Sequence, residues 1–436
     1  MVMEVQIMTR VGFIGTGNMG RPMIDKLLEA GYPVSVYDFR TESARSVIEK
    51  GAEWHDSPRS AANNCDIVIT CLPLPEDVYE NMVGDEGALA GMKSSSVWID
   101  TSTTDYHNTL DVASQAKSQG IYSLEAPASN LSHMGVDFAN ASFFVGGPLE
   151  AYKRCEIVLN EMGVVSFHVG GIGQAQSVKL LTNLLFYTAV VAVGDALLHS
   201  RFAGVPAHQA WKCFVRSPAN SVAIEQFAPF LLDGSFDSSC SLEIAVKDMA
   251  LTVQMADELK TPMPLGRVIE SRYRHAGLKY DRYDNHLRVV EARHTGNGVH
   301  LKVPGYSAPS KYGIDPSYPI DQEFTTDQVG RVKPKREHQF PLNDIPLDDD
   351  QVKLLDTLID DLVYVNRQIL DEAYDLGRGM GLKDSLIYDV VTWSVGASNW
   401  SDSLMDECGN ELMSERKKTA DEITSPNLTA LFADNL

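Results

Sequence analysis

The sequence predicts a doubly wound α/β domain followed by an all-α domain, and three observations predict it. From Val11 to about Gly147, short apolar runs alternate with helical segments, the pattern of parallel βαβ units. The turn Gly15-Thr16-Gly17-Asn18-Met19-Gly20 joins the first apolar run to the first helix. After a last strand, Val164 to Val169, only helical pattern continues, to about Gly277. At 436 residues the chain is too long for one ordinary core. A hydrophobic content of 44% and a charged content of 22% are those of a globular protein.

The glycine turn carries the first functional expectation. Val11 to Ile14 reads as a strand and Asn18 to Ala30 as a helix, so G-x-G-x-x-G stands in the strand–turn–helix context of a Rossmann dinucleotide-binding domain. Gly15 permits the tight turn, Gly17 leaves room for a pyrophosphate, and Gly20 lets helix and strand pack closely. The helix start offers N–H groups and its dipole to the phosphates. A second strand, Val34 to Tyr37, ends at Asp38, at the offset expected of the acid that binds the ribose hydroxyl. Asp38 favours NAD, whereas Arg40 and Thr41 leave NADP open.

The later elements follow in order. Glu42 to Lys50 reads as a helix, and Asp66 to Cys71 as a strand buried on both faces that ends in Leu72-Pro73. Val97 to Ile99 ends in Asp100-Thr101-Ser102-Thr103, and Tyr122 to Leu124 leads into Glu125-Ala126-Pro127-Ala128-Ser129-Asn130. Ser142 to Val145 adds one more strand. Each strand thus ends in small or hydroxyl residues, on the edge where open α/β sheets bind ligands.

Gly173 to about Phe202 reads as one helix roughly 45 Å long. Its most apolar part, Leu180 to Val193, is interrupted by Thr182 and Asn183 and reads as buried rather than membrane-spanning. Lys179 and Asn183 lie four apart on one helix face, where both are costly to bury without partners. On the residues alone, a lysine snorkelling to water explains Lys179 equally well.

Lys279 to Asp350 is punctuated by seven prolines and holds no helical period, as a lid, arm or linker would. Its aromatics, among them Tyr306, Tyr312, Tyr318, Phe324 and Phe340, predict that it packs onto a surface. Helical pattern resumes at Gln351 with an internal repeat. Val352-Lys353-Leu354-Leu355 repeats Val178-Lys179-Leu180-Leu181, and Ala373, Gly381, Ser394 and Ser398 stand 177 residues beyond Ala196, Gly204, Ser217 and Ser221. Shared helical composition is the alternative to a duplicated helical domain. The expected divisions are 1–170, 171–278, 279–350 and 351–436.

The motifs together resemble the β-hydroxyacid dehydrogenases, from Val11 to about Leu265. The group includes 3-hydroxyisobutyrate dehydrogenase, tartronate semialdehyde reductase and, more distantly, 6-phosphogluconate dehydrogenase. Phe13-Ile14-Gly15-Thr16-Gly17-Asn18-Met19-Gly20 is similar to the family's cofactor signature, Leu72-Pro73 to its LP turn, and Asp100-Thr101-Ser102-Thr103 to its D-x-S-T segment. His168 to Asn183 matches the stretch holding the family's lysine and asparagine, and Lys247-Asp248 matches its KD pair.

The resemblance implies Lys179 as general acid/base and Asn183 as the group orienting the substrate. It implies Ser129, with Asn130 beside it, and Thr103 at the substrate, and Lys247 near the cofactor. Phe13 to Gly20, Asp38, Arg40, Leu72, Pro73 and Thr103 would line the cofactor. Two departures stand out: Asn130-Leu131 replaces the family's paired glycines, and Thr182-Asn183 its paired asparagines. The first points to an unusual substrate.

The implied reaction passes a hydride between NAD(P) and a hydroxy acid or semialdehyde. The alternatives are reduction of an imine or a bulkier hydroxy compound, and a non-catalytic nucleotide-binding scaffold. A homodimer is implied as well. The net charge of -22 disfavours nucleic acid and anionic membranes as partners. The six cysteines hold no metal-ligand spacing, and no metal site is expected. The first ten residues, with Glu4 and Arg10, lack an apolar targeting core, so a cytoplasmic location is expected.

Overall fold

Apolar strands of four residues alternate with helices to build the nucleotide-binding sheet. The structure, a computed structural model, describes residues 9–130, 141–163, 165–292, 300–308, 340–392, 394 and 396. Two compact units divide it at Lys179. In the first, β1 (Val11–Ile14), β2 (Val34–Tyr37), β3 (Glu53–Trp54), β4 (Ile67–Thr70), β5 (Val97–Asp100) and β6 (Tyr122–Glu125) pair in parallel, in the order β3-β2-β1-β4-β5-β6. Helices α1 (Gly20–Glu29), α2 (Thr41–Glu49), α3 (Pro58–Ala62), α4 (Pro75–Met82), α5 (Ala88–Gly91) and α6 (Tyr106–Ser118) connect them.

Strand period two divides the core between the two faces of the sheet. Val11, Phe13, Val36, Ile67, Ile69, Val97, Ile99 and Leu124 bury into one cluster with Met23 and Leu27 of α1. Ile14, Val68 and Trp98 bury into the other with Met82 and Val112. Polar strand ends are thereby left at the carboxyl edge.

Beyond β6 the sheet departs from parallel expectation. Strand β7 (Ala128–Asn130) and β6 both pair antiparallel with β8 (Ala141–Gly146), and β9 (Val165–Gly170) follows helix α7 (Leu149–Met162) to pair parallel with β8. Only ten residues separate β7 from β8, fewer than a parallel crossover takes. Strand β3 pairs only through Ser35 and Val36 and is too short to show a period in sequence.

Helix α8 (Gln174–Phe202) is 29 residues long and carries Lys179, the last residue of the first unit, and Asn183 of the second. It passes a membrane-span test on length and composition, but 83% of its most apolar window is buried within the protein. It is a core helix. The second unit continues with α9 (Ala207–Val215), a π-turn over Ala223–Phe227, α10 (Ala228–Leu232), α11 (Leu242–Glu258) and α12 (Pro264–Gly277). Its later helices are α13 (Val289–Ala292), α14 (Asp349–Gly379) and α15 (Asp384–Thr392).

The expectation of an irregular Lys279–Asp350 is corrected at its start: His286–Arg288 forms a 3-10 turn that runs into α13. Four apolar residues, Leu287, Val289, Val290 and Ala292, are buried there, too few to register as a period. Near the other end the chain lies along α9. Gln209 exchanges two hydrogen bonds with the backbone of Ile345, Lys212 pairs with Asp344 at 2.9 Å, and Phe340 stacks on Tyr306. Tyr312, Tyr318 and Phe324 lie outside the described residues.

Helix α14 packs within the same unit as α9 and α12. The Gln351 amide donates to the Ala203 carbonyl, that of Asn366 to Ala219, and Glu372 accepts the N–H groups of Leu265 and Gly266 at 2.8 and 2.9 Å. The turns after α8 and α14 also match. Gly204 and Gly381 both hold positive φ, +80° and +75°. Gly204 N–H donates to Arg201 and Val205 N–H to Ser200; Gly381 and Leu382 do the same to Arg378 and Gly377, 177 residues on. Ser217 Oγ donates to the Phe214 carbonyl and accepts from Ala219 N–H, and Ser394 does so with Val391 and Gly396.

Glu372→Ala strips the cap from the first turn of α12. It should cost about 1–2 kcal/mol, read as a melting temperature lower by roughly 2–6 °C.

Candidate active site

The glycine turn is built by backbone approach. At Gly15, φ is +102° and a Cβ would lie 2.2 Å from the Cys71 carbonyl oxygen; at Gly20 it would lie 2.1 Å from that of Gly15. A Cβ at Gly17 would meet nothing within 4 Å, so the turn opens outward there. Beside it is a cavity of about 340 Å³ lined by Thr16, Gly17, Asn18, Arg21, Arg40, Glu42 and Ser43. An open glycine at the start of α1, next to a cavity bearing two arginines, fits a dinucleotide diphosphate and ribose.

Asp38 stands at the end of β2 but is turned inward. Its Oδ2 accepts from Thr16 N–H at 2.7 Å and from the Thr16 hydroxyl at 3.1 Å, and its Oδ1 accepts from Arg40 N–H at 2.9 Å. The carboxylate therefore fixes the loop as well as facing the ribose position. Sequence spacing located this acid but not its internal partners.

The other strand ends of the first unit are tied together by short polar side chains. Thr70 Oγ1 donates to Asp100 Oδ1 and accepts from the Trp98 indole. Leu72 N–H donates to Ser102 Oγ, which holds the Leu72-Pro73 turn against the Asp100–Thr103 segment. Gln176, on the first turns of α8, donates to the Ser102 carbonyl and accepts from Thr104 N–H. This residue joins the strand ends to the lysine helix, and sequence reasoning missed it. Its only signal was a polar residue three before Lys179. Burial pushes the Cys71 thiol up to about 11, so it stays protonated at neutral pH.

Ser129 is fully buried in β7, and its Oγ has no hydrogen-bond partner among the described residues. Thr103 is half-buried. The side chain of Asn130, and Leu131 altogether, lie outside the described residues. Lys179 is only 9% exposed, five residues into α8.

In the second unit Asn183 is held by a carboxylate. Its Nδ2 donates to Asp248 Oδ2 at 2.8 Å, and the Tyr187 hydroxyl donates to the same oxygen at 3.2 Å. Lys247 Nζ stands 3.2 Å from Asp248 Oδ1. Burial raises the Tyr187 phenol well above its ordinary range, so it remains a donor. Asp248 and Tyr187 were outside the expected site. Asp248 was visible only as the neighbour of Lys247, and Tyr187 only as an apolar helix residue. Among the described residues no group of three or more His, Cys, Asp or Glu side chains gathers as a metal site.

The comparisons agree with this geometry. Residues 10–171 match the family described as the NAD binding domain of 6-phosphogluconate dehydrogenase. Residues 173–292 match that described as the NAD-binding domain of NADP-dependent 3-hydroxyisobutyrate dehydrogenase. The 3-hydroxyisobutyrate dehydrogenase of Pseudomonas aeruginosa is 29% identical over 61% of this chain and 91% of its own length. The 2-(hydroxymethyl)glutarate dehydrogenase of Eubacterium barkeri is 28% identical over 59% of this chain and 85% of its own. Among solved structures, Mycobacterium tuberculosis 3-hydroxyisobutyrate dehydrogenase with L-serine superposes with a TM-score of 0.59 at 26% identity, covering 66% of this chain and all of that one. With both halves of the signature matched in order along one chain, this protein belongs to the β-hydroxyacid dehydrogenase family of NAD(P)-dependent oxidoreductases.

Proposed function

We propose that this chain transfers a hydride between NAD(P) and a small β-hydroxy acid or its semialdehyde, with Lys179 as general acid/base. The observation that carries the reading is a lysine buried to 9% exposure, five residues into α8. Holding an ammonium there is costly unless its proton is used. Bound NAD(P) supplies the hydride donor or acceptor. Lys179 gives its proton to the carbonyl oxygen in reduction and takes the hydroxyl proton in oxidation. Burial favours the neutral amine, which brings a group of ordinary pKa about 10.4 toward neutrality.

Asn183 orients the substrate, and Asp248 with Tyr187 are positioning residues for its amide. Because Nδ2 already donates one hydrogen to Asp248, the carbonyl oxygen and one amide hydrogen remain for the ligand. Ser129, with a buried hydroxyl lacking a partner among the described residues, binds the substrate's carboxylate, with Asn130 and Thr103 beside it. The cofactor lies on Phe13 to Gly20, with Leu72, Pro73, Thr103 and Lys247 along it. NAD is preferred through Asp38, and NADP is accepted through Arg40.

The helical organisation belongs to the same reading. We take α14–α15 as a second copy of α8–α9, with divisions near 278 and 350, because the turn hydrogen bonds recur 177 residues apart. Asp356 and Asp360 occupy the places of Lys179 and Asn183 in that copy, which therefore serves packing rather than chemistry. A homodimer and a cytoplasmic location complete the proposal.

Two measurements test it. Lys179→Ala should lower turnover of 3-hydroxyisobutyrate with NAD(+) by about 100- to 10,000-fold while NADH binding changes little; undiminished turnover removes Lys179 from the mechanism. Arg40→Ala should weaken NADPH binding about tenfold in a fluorescence titration and leave NADH within about twofold, as loss of one charge-assisted bond to a 2′-phosphate requires.

A further inference from the structure

The feature not yet used is Glu125. It ends β6, is 0% exposed, and stands in register beside Asp100 at the end of β5, itself 1% exposed. Its seat is shaped for a carboxyl group: a Cβ on Gly146 would come 2.3 Å from Glu125 Oε1. That same Oε1 accepts the N–H of Ala175, in the first turn of α8, at 2.7 Å. Ala175 lies one turn before Lys179 on the same helix face. The second oxygen, Oε2, is buried and has no hydrogen-bond partner among the described residues.

We infer that Glu125 is a positioning residue for Lys179: seated as a neutral acid against the first turn of α8, it fixes where the lysine helix begins, and its ionisation shifts the lysine. This rests on Lys179 being the general acid/base.

The charged and titratable groups facing Glu125 decide its state. Asp100 of β5 and the Tyr106 phenol of α6 oppose a negative charge. The backbone N–H groups of Ala175, Gly173 and Gln176 favour one. Burial outweighs them and, with Asp100, pushes the acid up to about 8. Glutamine reproduces the neutral form, one oxygen to accept from Ala175 and one amide to donate. Alanine empties the seat.

The sign of the stability effect follows. Unfolded, Glu125 loses its proton near the ordinary value of 4.5; folded, it keeps it to about 8. Between those values the folded state binds more protons, so raising the pH favours unfolding, and above the upper value the effect is constant.

The experiment uses the full chain and three readouts. The melting temperature of the wild type, relative to Glu125→Gln, should fall from about pH 5 to about pH 8 and then level. Trace acetylation of Lys179 by acetic anhydride, followed by peptide mass spectrometry from about pH 6.5 to 10, should show a break in the wild type that Glu125→Gln lacks, with reactivity differing at least about threefold above it. With 3-hydroxyisobutyrate and NAD(+), Glu125→Ala should lose about tenfold in kcat with KM for NAD(+) within about twofold, and Glu125→Gln should restore kcat at pH 7 to within about twofold. Superimposable acetylation curves overturn the inference, as does an equal kcat loss in both variants. A wild type that acetylates as expected but leaves 3-hydroxyisobutyrate unreacted fails the substrate reading alone.

Discussion

The structure of the first unit depends on how closely three stretches of backbone approach at one point. The carbonyls of Gly15 and Cys71 stand where a side chain on Gly20 or Gly15 would have to be. This crowding brings the start of α1 onto the ends of β1 and β4, and Gly17 is the one position of the turn that faces open space. The floor for a diphosphate is therefore made of main chain, and its shape comes from exclusion rather than from attraction. Asp38 completes it from the next strand by gripping the Thr16 amide.

From that floor the polar strand ends continue the same edge toward helix α8. Thr70, Asp100 and Ser102 bond to one another or to adjacent backbone, and Gln176 and Glu125 hand the chain of bonds to the helix. Helix α8 is thus anchored through its first turns by side chains that end or follow β5 and β6. The chemistry-bearing lysine stands one turn further along.

Much of this was legible in sequence because it follows from local rules. Strand period, the glycine spacing and the polar residue closing each strand placed β1, β2, β4, β5, β6 and the turn between β1 and α1. What escaped was set by distant partners. Strand β3 exists because Ser35 and Val36 pair with it, and β8 runs antiparallel because its connection is short. The inward grip of Asp38, the bridge made by Gln176 and the hold of Asp248 on Asn183 each join residues more than twenty positions apart. Spacing along one chain carries no trace of them. The repeat in the helical half showed in sequence only as scattered identities, whereas its turns agree bond for bond.

The tether between Asn183 and Asp248 has one more consequence. A free amide side chain can flip, offering either end to whatever arrives; this one is pinned by an anion that accepts only hydrogens. Its polarity is thereby set before any ligand enters, and molecules are sorted by which end of the amide they need rather than by size alone.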